Sequence, residues 1–225
     1  MIMATEKVSR VLLKRLPHYL NYLKKLPEDT ENISATKMAK ALELGDVLVR
    51  KDLAKVSSGG RRKLGYVRND LIADIEQYLD INSSTDAIVV GAGKLGQALL
   101  DYSGFEATGL HIVAGFDIAV PKKCSVGGKK LFPMEKIGSF CKANQIAIAI
   151  ITVPAESAQS VCDTLVDCGI RAIWNFAPVH LNVPDHIVVQ TENLAVSLTA
   201  LRMQMKNRQR GTEFSSIVPI TKENN

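Results

Sequence analysis

Three glycines at fixed spacing carry the clearest chemical signal in the sequence. They form the pattern Gly-x-Gly-x-x-Gly directly after the apolar run Ala87–Val90. In this pattern the first glycine permits a tight turn, the second lets a pyrophosphate approach the backbone, and the third lets a helix pack closely on the sheet. The helix N-terminus adds free N–H groups and partial positive charge for the phosphates. We therefore predict a dinucleotide-binding loop formed by Gly91, Ala92, Gly93, Lys94, Leu95 and Gly96.

An acidic residue stands where such a site needs one. The second apolar run, His111–Phe116, ends in Asp117, which lies 21 residues beyond Gly96. A carboxylate at about 20 residues from the glycines accepts hydrogen bonds from the adenosine ribose hydroxyls. It would repel a 2′-phosphate, so the pattern favours NADH and NAD⁺ over their phosphorylated forms. The alternative is a glycine turn in an α/β fold that binds no nucleotide.

A local cluster of basic residues indicates a second kind of chemistry. Two short helices, around Met38 and from Val47 to Lys55, are joined by a turn at Leu44–Asp46 and form a helix-turn-helix. The second is the candidate recognition helix for the major groove of DNA, and the glycine-rich loop after it is a candidate wing on the phosphate backbone. The predicted DNA contacts are Arg50, Lys51, Lys55, Arg61, Arg62 and Lys63. The alternative is a small helical bundle with a solvated basic face.

Further helices complete the first domain, which we place at residues 1–80. An amphipathic pattern over Lys7–Leu26 predicts a helix that Pro17 kinks or restarts. Ser34 is a good N-cap for the next helix, and Asp70–Leu79 is a further helix. The polar stretch Ile81–Thr85 marks the domain boundary.

Strands and helices alternate through residues 86–191, which predicts a Rossmann-type parallel sheet with helices on both faces. The strands are Ile146–Ile151, Arg171–Trp174 and His186–Gln190, with a helix at 155–168 that Gly169 ends and a loop at 121–131. In such sheets ligands bind beyond the carboxyl ends of the strands. Those ends add further predicted cofactor contacts: Thr152, Val153, Pro154, Asn175 and Phe176.

The last helix, residues 192–210, has apolar residues in phase and a basic end, with nothing after it to pack against. We expect it to contact a partner chain, and we expect residues 211–225 to form a disordered tail. The 225 residues contain no apolar run of about 18 and no block typical of a signal peptide. The sequence therefore predicts a cytoplasmic protein with no membrane contact.

Cysteine and histidine spacing gives no metal-binding pattern, so we predict no metal site. The cysteines follow no disulfide framework and are interpreted as reduced thiols. They are Cys124, Cys141, Cys162 and Cys168.

From about residue 10 to about 205, the chain resembles the redox-sensing transcriptional repressor family, Rex. The stretches that carry the resemblance are Arg15–Leu20, Val49–Leu53, Gly65–Tyr66, Val90–Leu100, Thr152–Ala155, Gln159 and Asn175–Val179. The resemblance implies an N-terminal winged helix-turn-helix, a Rossmann-type parallel sheet and a C-terminal helix exchanged between the two chains of a homodimer. It also implies a repressor of respiratory or fermentative genes that binds a palindromic double-stranded DNA operator. NADH would release the DNA, whereas NAD⁺ would be compatible with binding.

The resemblance also implies a contact between subunits that is tied to the NADH-bound state. Its members match Arg15, which is also a predicted DNA contact, Tyr102 and Asn193, where the family commonly has an aspartate. A neutral amide makes a hydrogen bond about half as strong as a charged pair there. The family usually has a second acid shortly after the one at Asp117, and here Ala119 stands nearby. The wing also lacks the family's usual Phe-Gly pair.

Two rival interpretations remain open from the sequence. One is a Rex-like paralogue that binds DNA without nucleotide control, which Asn193 and Ala119 favour. The other is a small NAD-dependent dehydrogenase. Against the enzyme, the sequence contains no Tyr-x-x-x-Lys pair, and His180 is the one histidine near the predicted crevice. We interpret His180 as a structural or surface residue and predict that the protein is not an enzyme.

Overall fold

The computed structural model describes residues 9–120 and 125–209, which form two compact units. The first unit contains the residues up to Ser84 together with Ser103–His111. The second contains Thr85–Tyr102 together with the residues from Ile112 onward. The short stretch 103–111, which includes a 3-10 helix at Ser103–Thr108, thus belongs with the first unit although it follows the glycine loop in sequence.

In its described part, the first unit has four α-helices and a short antiparallel ribbon. The helices are α1 (Arg10–Lys25), α2 (Ala35–Ala41), α3 (Asp46–Val56) and α4 (Arg68–Tyr78), and the ribbon pairs β1 (Asn32–Ile33) with β2 (Tyr66–Val67). Leu16 and Leu23 of α1 pack with Leu53 of α3 and Ile75 of α4 in one buried core. Burial of these aliphatic side chains is the main force that holds the helices together.

The helix-turn-helix prediction is confirmed. The Ser34 hydroxyl accepts a hydrogen bond from the Lys37 N–H at 3.1 Å and so caps α2. The helix predicted from Lys7 is described from Arg10, because residues 7 and 8 lie outside the described part. It continues through Pro17 without a restart. Proline lacks the N–H that would bond to the Leu13 carbonyl one turn earlier. Pro17 is exposed, so that carbonyl can turn to water instead.

The wing is a tight hairpin, and the β1–β2 ribbon at its base was missed from the sequence. Arg61 and Gly65 exchange both backbone hydrogen bonds, at 2.8 and 2.9 Å. Gly65 has a φ of +83°, and a Cβ there would lie 2.4 Å from the Ile33 carbonyl oxygen. Only glycine permits that approach, which joins the wing to β1.

In the second unit, the described strands form one seven-stranded sheet in the order β5-β6-β4-β3-β7-β8-β9. The strands are β3 (Thr85–Val90), β4 (Leu110–Asp117), β5 (Ser125–Val126), β6 (Lys129–Pro133), β7 (Ile148–Ile151), β8 (Ala172–Asn175) and β9 (Val188–Thr191). The pairs β3–β7, β7–β8 and β8–β9 are parallel, as predicted, and β4 also pairs in parallel with β6. The strands β4, β5 and β6 lie on one side of β3, and β7, β8 and β9 lie on the other. The strand order thus reverses at β3, and the topological switch point lies between β3 and β7.

Helices cover this sheet, and the helix bounds agree with the predicted elements to within a few residues. They are α5 (Lys94–Asp101), α6 (Ile137–Asn144), α7 (Ala155–Asp167) and α8 (Leu194–Gln209), with a 3-10 turn at Met134–Lys136 before α6. Gly169 follows α7, and its N–H donates to the Val166 carbonyl in a helix-ending turn. Among the helices that the structure describes, none has the length and apolar character that a membrane crossing requires.

The prediction of a loop over residues 121–131 is wrong in its second half. β5 and β6 lie there, and β6 pairs in parallel with β4. The pattern was hidden because β6 opens with two lysines and contributes one fully buried side chain, Leu131. The Lys129 ammonium donates to the Leu100 carbonyl at 2.6 Å, which satisfies a free acceptor near the end of α5.

Helix α8 presents apolar side chains to solvent from Leu194 to Met205. The exposed residues are Leu194, Val196, Leu198, Leu201, Met203 and Met205. A helix with this much exposed aliphatic surface is typical of one that packs on a partner. The predicted tail, residues 211–225, lies outside the described residues.

Candidate nucleotide and nucleic-acid sites

A cavity of about 440 Å³ opens at the carboxyl ends of β3, β4 and β7, at the switch point of the sheet. It contains six of the predicted cofactor contacts: Gly91, Gly93, Asp117, Thr152, Val153 and Pro154. It also contains residues that sequence reasoning missed: Val90, Ile118, Met134, Ser157 and Val161. One of them could have been found from the sequence, because Ile118 directly follows the predicted acid, Asp117. In the structure the Ile118 side chain is 91% exposed.

The three glycines meet different steric demands. A Cβ on Gly96 would lie 1.8 Å from the Gly91 carbonyl oxygen, so the loop and α5 touch there backbone to backbone. That same carbonyl accepts a hydrogen bond from the Thr152 hydroxyl at 2.7 Å, which ties the loop to the end of β7. A Cβ on Gly93 would meet no atom within 4 Å. Gly93 therefore faces open space, which is the side from which a pyrophosphate would approach.

Helix α5 begins inside the glycine motif rather than at Gln97. It starts at Lys94 with Gly93 as its N-cap, and no side chain caps it. The N–H groups of its first turn are thus free of side-chain caps and available to an anion. Lys94 and Leu95 are exposed on this turn, but neither lines the cavity.

Asp117 is held by the backbone on both sides of its carboxylate. One oxygen accepts the Ala92 N–H at 2.5 Å, and the other accepts the Ala119 N–H at 2.9 Å. Ala119 therefore acts through its backbone, which its side chain does not change. Each carboxylate oxygen can accept a second hydrogen bond, so Asp117 can still receive the two hydroxyls of a ribose.

Asn175 and Phe176 are placed differently from the other predicted cofactor contacts. The Asn175 amide is fully buried and donates to the carbonyls of Ala177 and Val179, at 3.1 and 3.0 Å, while its oxygen accepts the Ala177 N–H. These bonds hold the loop after β8 in shape. Phe176 packs on Trp174 with ring centroids 4.6 Å apart. Neither side chain lines the cavity, and their contact with a cofactor stays a prediction.

The predicted DNA contacts lie on exposed surfaces of the first unit. Arg50, Lys51 and Lys55 project from α3, whose other face buries Val49 and Leu53. The wing exposes Arg61, Arg62 and Lys63. Helix α3 and the wing that follows it thus expose six cationic side chains. A cluster of this kind suits a polyanionic ligand.

Arg50 is already oriented by neighbouring side chains. Its guanidinium donates to an Asp46 carboxylate oxygen at 2.8 Å and to the Thr36 hydroxyl at 3.2 Å. The Thr36 hydroxyl lies 2.8 Å from the other Asp46 oxygen. This exposed network joins α2 to the first turn of α3 and fixes the starting position of Arg50 before any ligand binds.

Arg15, predicted as a DNA and switch contact, forms a buried network that the sequence did not reveal. Its guanidinium donates two hydrogen bonds to Asp52, at 2.7 and 2.8 Å, and the Tyr19 hydroxyl donates a third at 2.7 Å. The hydrogen bond to Asp52 raises the pKa of Arg15, and burial, with help from Asp52, raises the pKa of Tyr19 to about 12. Asp52 thus anchors α3 to α1.

The other two predicted switch residues lie in the second unit. Asn193 caps α8, because its side-chain oxygen accepts the Val196 N–H at 3.0 Å. Asparagine and aspartate cap helices about equally well, so the departure from the family leaves the helix start intact. Tyr102 follows α5 and is exposed. Their roles in a contact between subunits stay predictions.

The described cysteines are poor nucleophiles. Cys141 and Cys162 are buried and Cys168 is partly buried. Burial, with a smaller effect of Cys168, raises the pKa of Cys141 to about 11, and burial raises the pKa of the other two. Their thiols are therefore protonated at neutral pH. Cys124 lies outside the described residues, and no group of three His, Cys, Asp or Glu side chains within the described part could hold a metal ion.

Sequence comparisons match parts of both units and most of the chain. The family described as "CoA binding domain" matches residues 82–179, and the one described as "Putative DNA-binding protein N-terminus" matches residues 7–54. The chain is 39% identical to the "Redox-sensing transcriptional repressor Rex" of Treponema denticola, over 92% of its own length and 100% of that protein. It is 36% identical to the same-named protein of Porphyromonas gingivalis, over 89% and 93% of the two chains.

Solved structures agree with the sequence matches. A structure described as RSP in complex with beta-NAD+ and operator DNA superposes with a TM-score of 0.84 at 30% identity, over 91% of this chain and 95% of that one. A structure of RSP, described as a Rex-family repressor, gives a TM-score of 0.80 at 30% identity over 90% and 95% of the two chains. A complex of RSP with beta-NADH gives 0.80 at 29% identity over 91% and 97%.

Proposed function

The chain belongs to the Rex family of redox-sensing transcriptional repressors, and on that basis we propose that it binds a DNA operator under control of the NADH/NAD⁺ balance. One observation carries the proposal: a helix-turn-helix with six exposed cations and a glycine-loop cavity lined by Asp117 occur in one chain. The relative RSP has been described with NAD⁺ and operator DNA together, and with NADH. The ligands in these two complexes of RSP, a nicotinamide dinucleotide and operator DNA, are the kinds of ligand that the cavity and the helix-turn-helix suit.

The cavity residues fit a nicotinamide dinucleotide. The open side of Gly93 and the first turn of α5 would hold the pyrophosphate, and Asp117 would hold the adenosine ribose. Asp117 disfavours ligands with a phosphate on that ribose, including NADPH and coenzyme A. Bound nucleotide supplies a nicotinamide ring that is neutral in NADH and cationic in NAD⁺. The aliphatic walls at Met134, Val153 and Val161 favour the neutral form, since burying an unpaired charge is costly.

We further propose that the protein acts as a homodimer on a palindromic operator. The apolar side chains exposed along α8 support a second chain as the partner, with α8 exchanged between subunits. A twofold-symmetric reader places its two recognition helices in successive major grooves of a palindrome. We propose a cytoplasmic location, where operator DNA is found in bacteria such as those of the relatives.

The residues at the cavity argue against a dehydrogenase. Asp117 is the ionisable side chain among the described residues that line it, and both of its oxygens are engaged by backbone N–H groups. A hydride-transfer enzyme needs a positioned acid or base for the substrate. His180 is exposed and does not line the cavity. We therefore propose a binding role for the nucleotide without turnover.

Replacement of Arg50 by alanine is expected to weaken operator binding by about 1–3 kcal/mol for each half-site, because a guanidinium on the exposed face of α3 is lost. Fluorescence anisotropy on an operator duplex measures the change. Arg171→Ala, which removes an exposed arginine from the second unit, is the control and should bind as the wild type does. Equal affinity of Arg50→Ala and wild type would show that α3 is not the recognition helix.

The function as a whole is tested by titrating the protein–operator complex with NADH and, separately, with NAD⁺. We expect NADH to lower the anisotropy to that of free duplex and NAD⁺ to leave the complex in place. DNA binding that ignores both nucleotides would identify a paralogue without nucleotide control. Consumption of NADH with small carbonyl substrates, followed by absorbance, would identify an enzyme.

A further inference from the structure

Two aliphatic side chains stand on the exposed side of the recognition helix, in its first turn. Val47 is 66% exposed and Leu48 is 38% exposed. Neither belongs to the buried core of the first unit or to the side chains packed against it, whereas Val49 and Leu53 on the opposite face are completely buried. The fold therefore gains little from a large aliphatic group at position 47, and Leu48 leaves more than a third of its surface open to solvent.

The surroundings of Val47 are polar and cationic. Arg50 and Lys51 follow it by three and four residues and thus lie on the same face of α3, with Lys55 two turns along. The Arg50 guanidinium is tied to Asp46 and Thr36, so Val47 stays open to solvent beside it. The exposed face of α3 thus has apolar side chains in its first turn and cations along the rest of its length. It complements a groove whose edges are anionic and whose floor carries a small apolar group.

The major groove of DNA contains one such apolar group. Every base pair presents hydrogen-bond donors and acceptors there, and thymine alone adds a C5-methyl group. The N-terminal residues of a recognition helix are the ones that contact base edges. We propose that Val47 and Leu48 read thymine methyl groups in each operator half-site, an inference that rests on the proposed DNA-binding function.

The same two side chains reject other bases at those positions. An aliphatic group placed against the amino group of cytosine or the O6 and N7 of guanine removes water from polar atoms and offers no hydrogen bond. The penalty acts only on the wrong base, so it adds discrimination to the attraction of the methyl contact. Val47 and Leu48 are therefore specificity determinants, and the cations of α3 and the wing supply affinity for the backbone.

The test uses the full-length protein and a duplex that it selects from a randomised double-stranded library. Thymines of the selected half-site are replaced one at a time, symmetrically in both halves, by deoxyuridine, which removes the methyl group and keeps the base pairing. We expect at least one position where wild-type affinity falls by about fourfold for each methyl removed, and by about 15-fold for the symmetric pair.

Variants assign the effect to the side chains. Val47→Ala and Leu48→Ala are exposed substitutions that should fold normally, and each should shrink the ratio of thymine to uracil affinity at its own position toward one. Val188→Ala is the matched control, since Val188 is 61% exposed but lies on the edge strand β9 of the second unit. It should keep the full ratio.

The outcomes separate this inference from the function beneath it. A selected duplex that binds equally well with thymine or uracil at every position overturns methyl readout and leaves the DNA-binding function standing. A ratio that survives in both Val47→Ala and Leu48→Ala shows that other residues contact the methyl groups, and it also overturns the inference. Failure to enrich any duplex removes the proposed function itself.

Discussion

Alanine at position 93 is expected to leave the fold unchanged and to lower the affinity for NADH by at least about tenfold. The added Cβ meets no protein atom within 4 Å, and the backbone at Gly93 has a φ of −67°, which alanine readily adopts. The methyl group would instead occupy the space that a pyrophosphate needs beside the loop. Isothermal titration calorimetry with NADH gives the affinity, and the melting temperature of the unliganded protein tests the fold.

Gly96→Ala is the matched comparison, because it changes the same loop by the same methyl group. Its Cβ would lie 1.8 Å from the Gly91 carbonyl oxygen and 2.8 Å from the Thr152 hydroxyl oxygen, so the loop must move away from β7. We expect this variant to lose both NADH binding and thermal stability. Wild-type affinity in Gly93→Ala would mean that the phosphates do not pass over the loop, and the glycine pattern would then be structural only.

The second large effect is expected at Asp52. Asp52→Ala leaves the Arg15 guanidinium and the Tyr19 hydroxyl without the acceptor that all three short hydrogen bonds share. Removing one partner of a buried ion pair costs about 3–5 kcal/mol of folding free energy. Because this network joins α3 to α1, we expect the loss to appear in the first unit and to weaken DNA binding with it. Hydrogen exchange of the α3 amide protons measures the change locally.

Controls for Asp52 come from the same chain. Tyr19→Phe removes one of the three hydrogen bonds and should cost about 1.5 kcal/mol. The triple variant Arg15→Met, Tyr19→Phe and Asp52→Leu replaces the ion pair and the buried hydroxyl by apolar groups and should regain most of the stability. The single tryptophan, Trp174, lies in the second unit, so its fluorescence transition should stay the same in every variant. Exchange rates in Asp52→Ala equal to wild type would remove the anchoring role.

Local patterns were sufficient to predict most of the fold. The apolar run before Gly91, the helical stop at Gly169 and the cap at Ser34 each act over a few residues, and the structure confirms all three. The spacing of Asp117 from the glycines likewise predicted its place on the cavity. Such features depend on the local backbone conformation, which residues close in sequence determine.

Features that depend on contacts distant in sequence were missed. β6 was not predicted because its two lysines conceal a strand that forms only by pairing with β4. Asp52 offered a signal, since it stands on the buried stripe between Val49 and Leu53, but its partners lie 33 and 37 residues away.

The apolar surface of α8 also bears on heredity. If each operator needs two chains joined through that helix, a subunit with a defective recognition helix still assembles with intact subunits. At equal synthesis of both forms, random pairing leaves about a quarter of the pairs with two working recognition helices. An allele that damages α3 alone would therefore lower the number of intact pairs even beside a wild-type gene, whereas chains that cannot pair through α8 would leave the wild-type pairs intact.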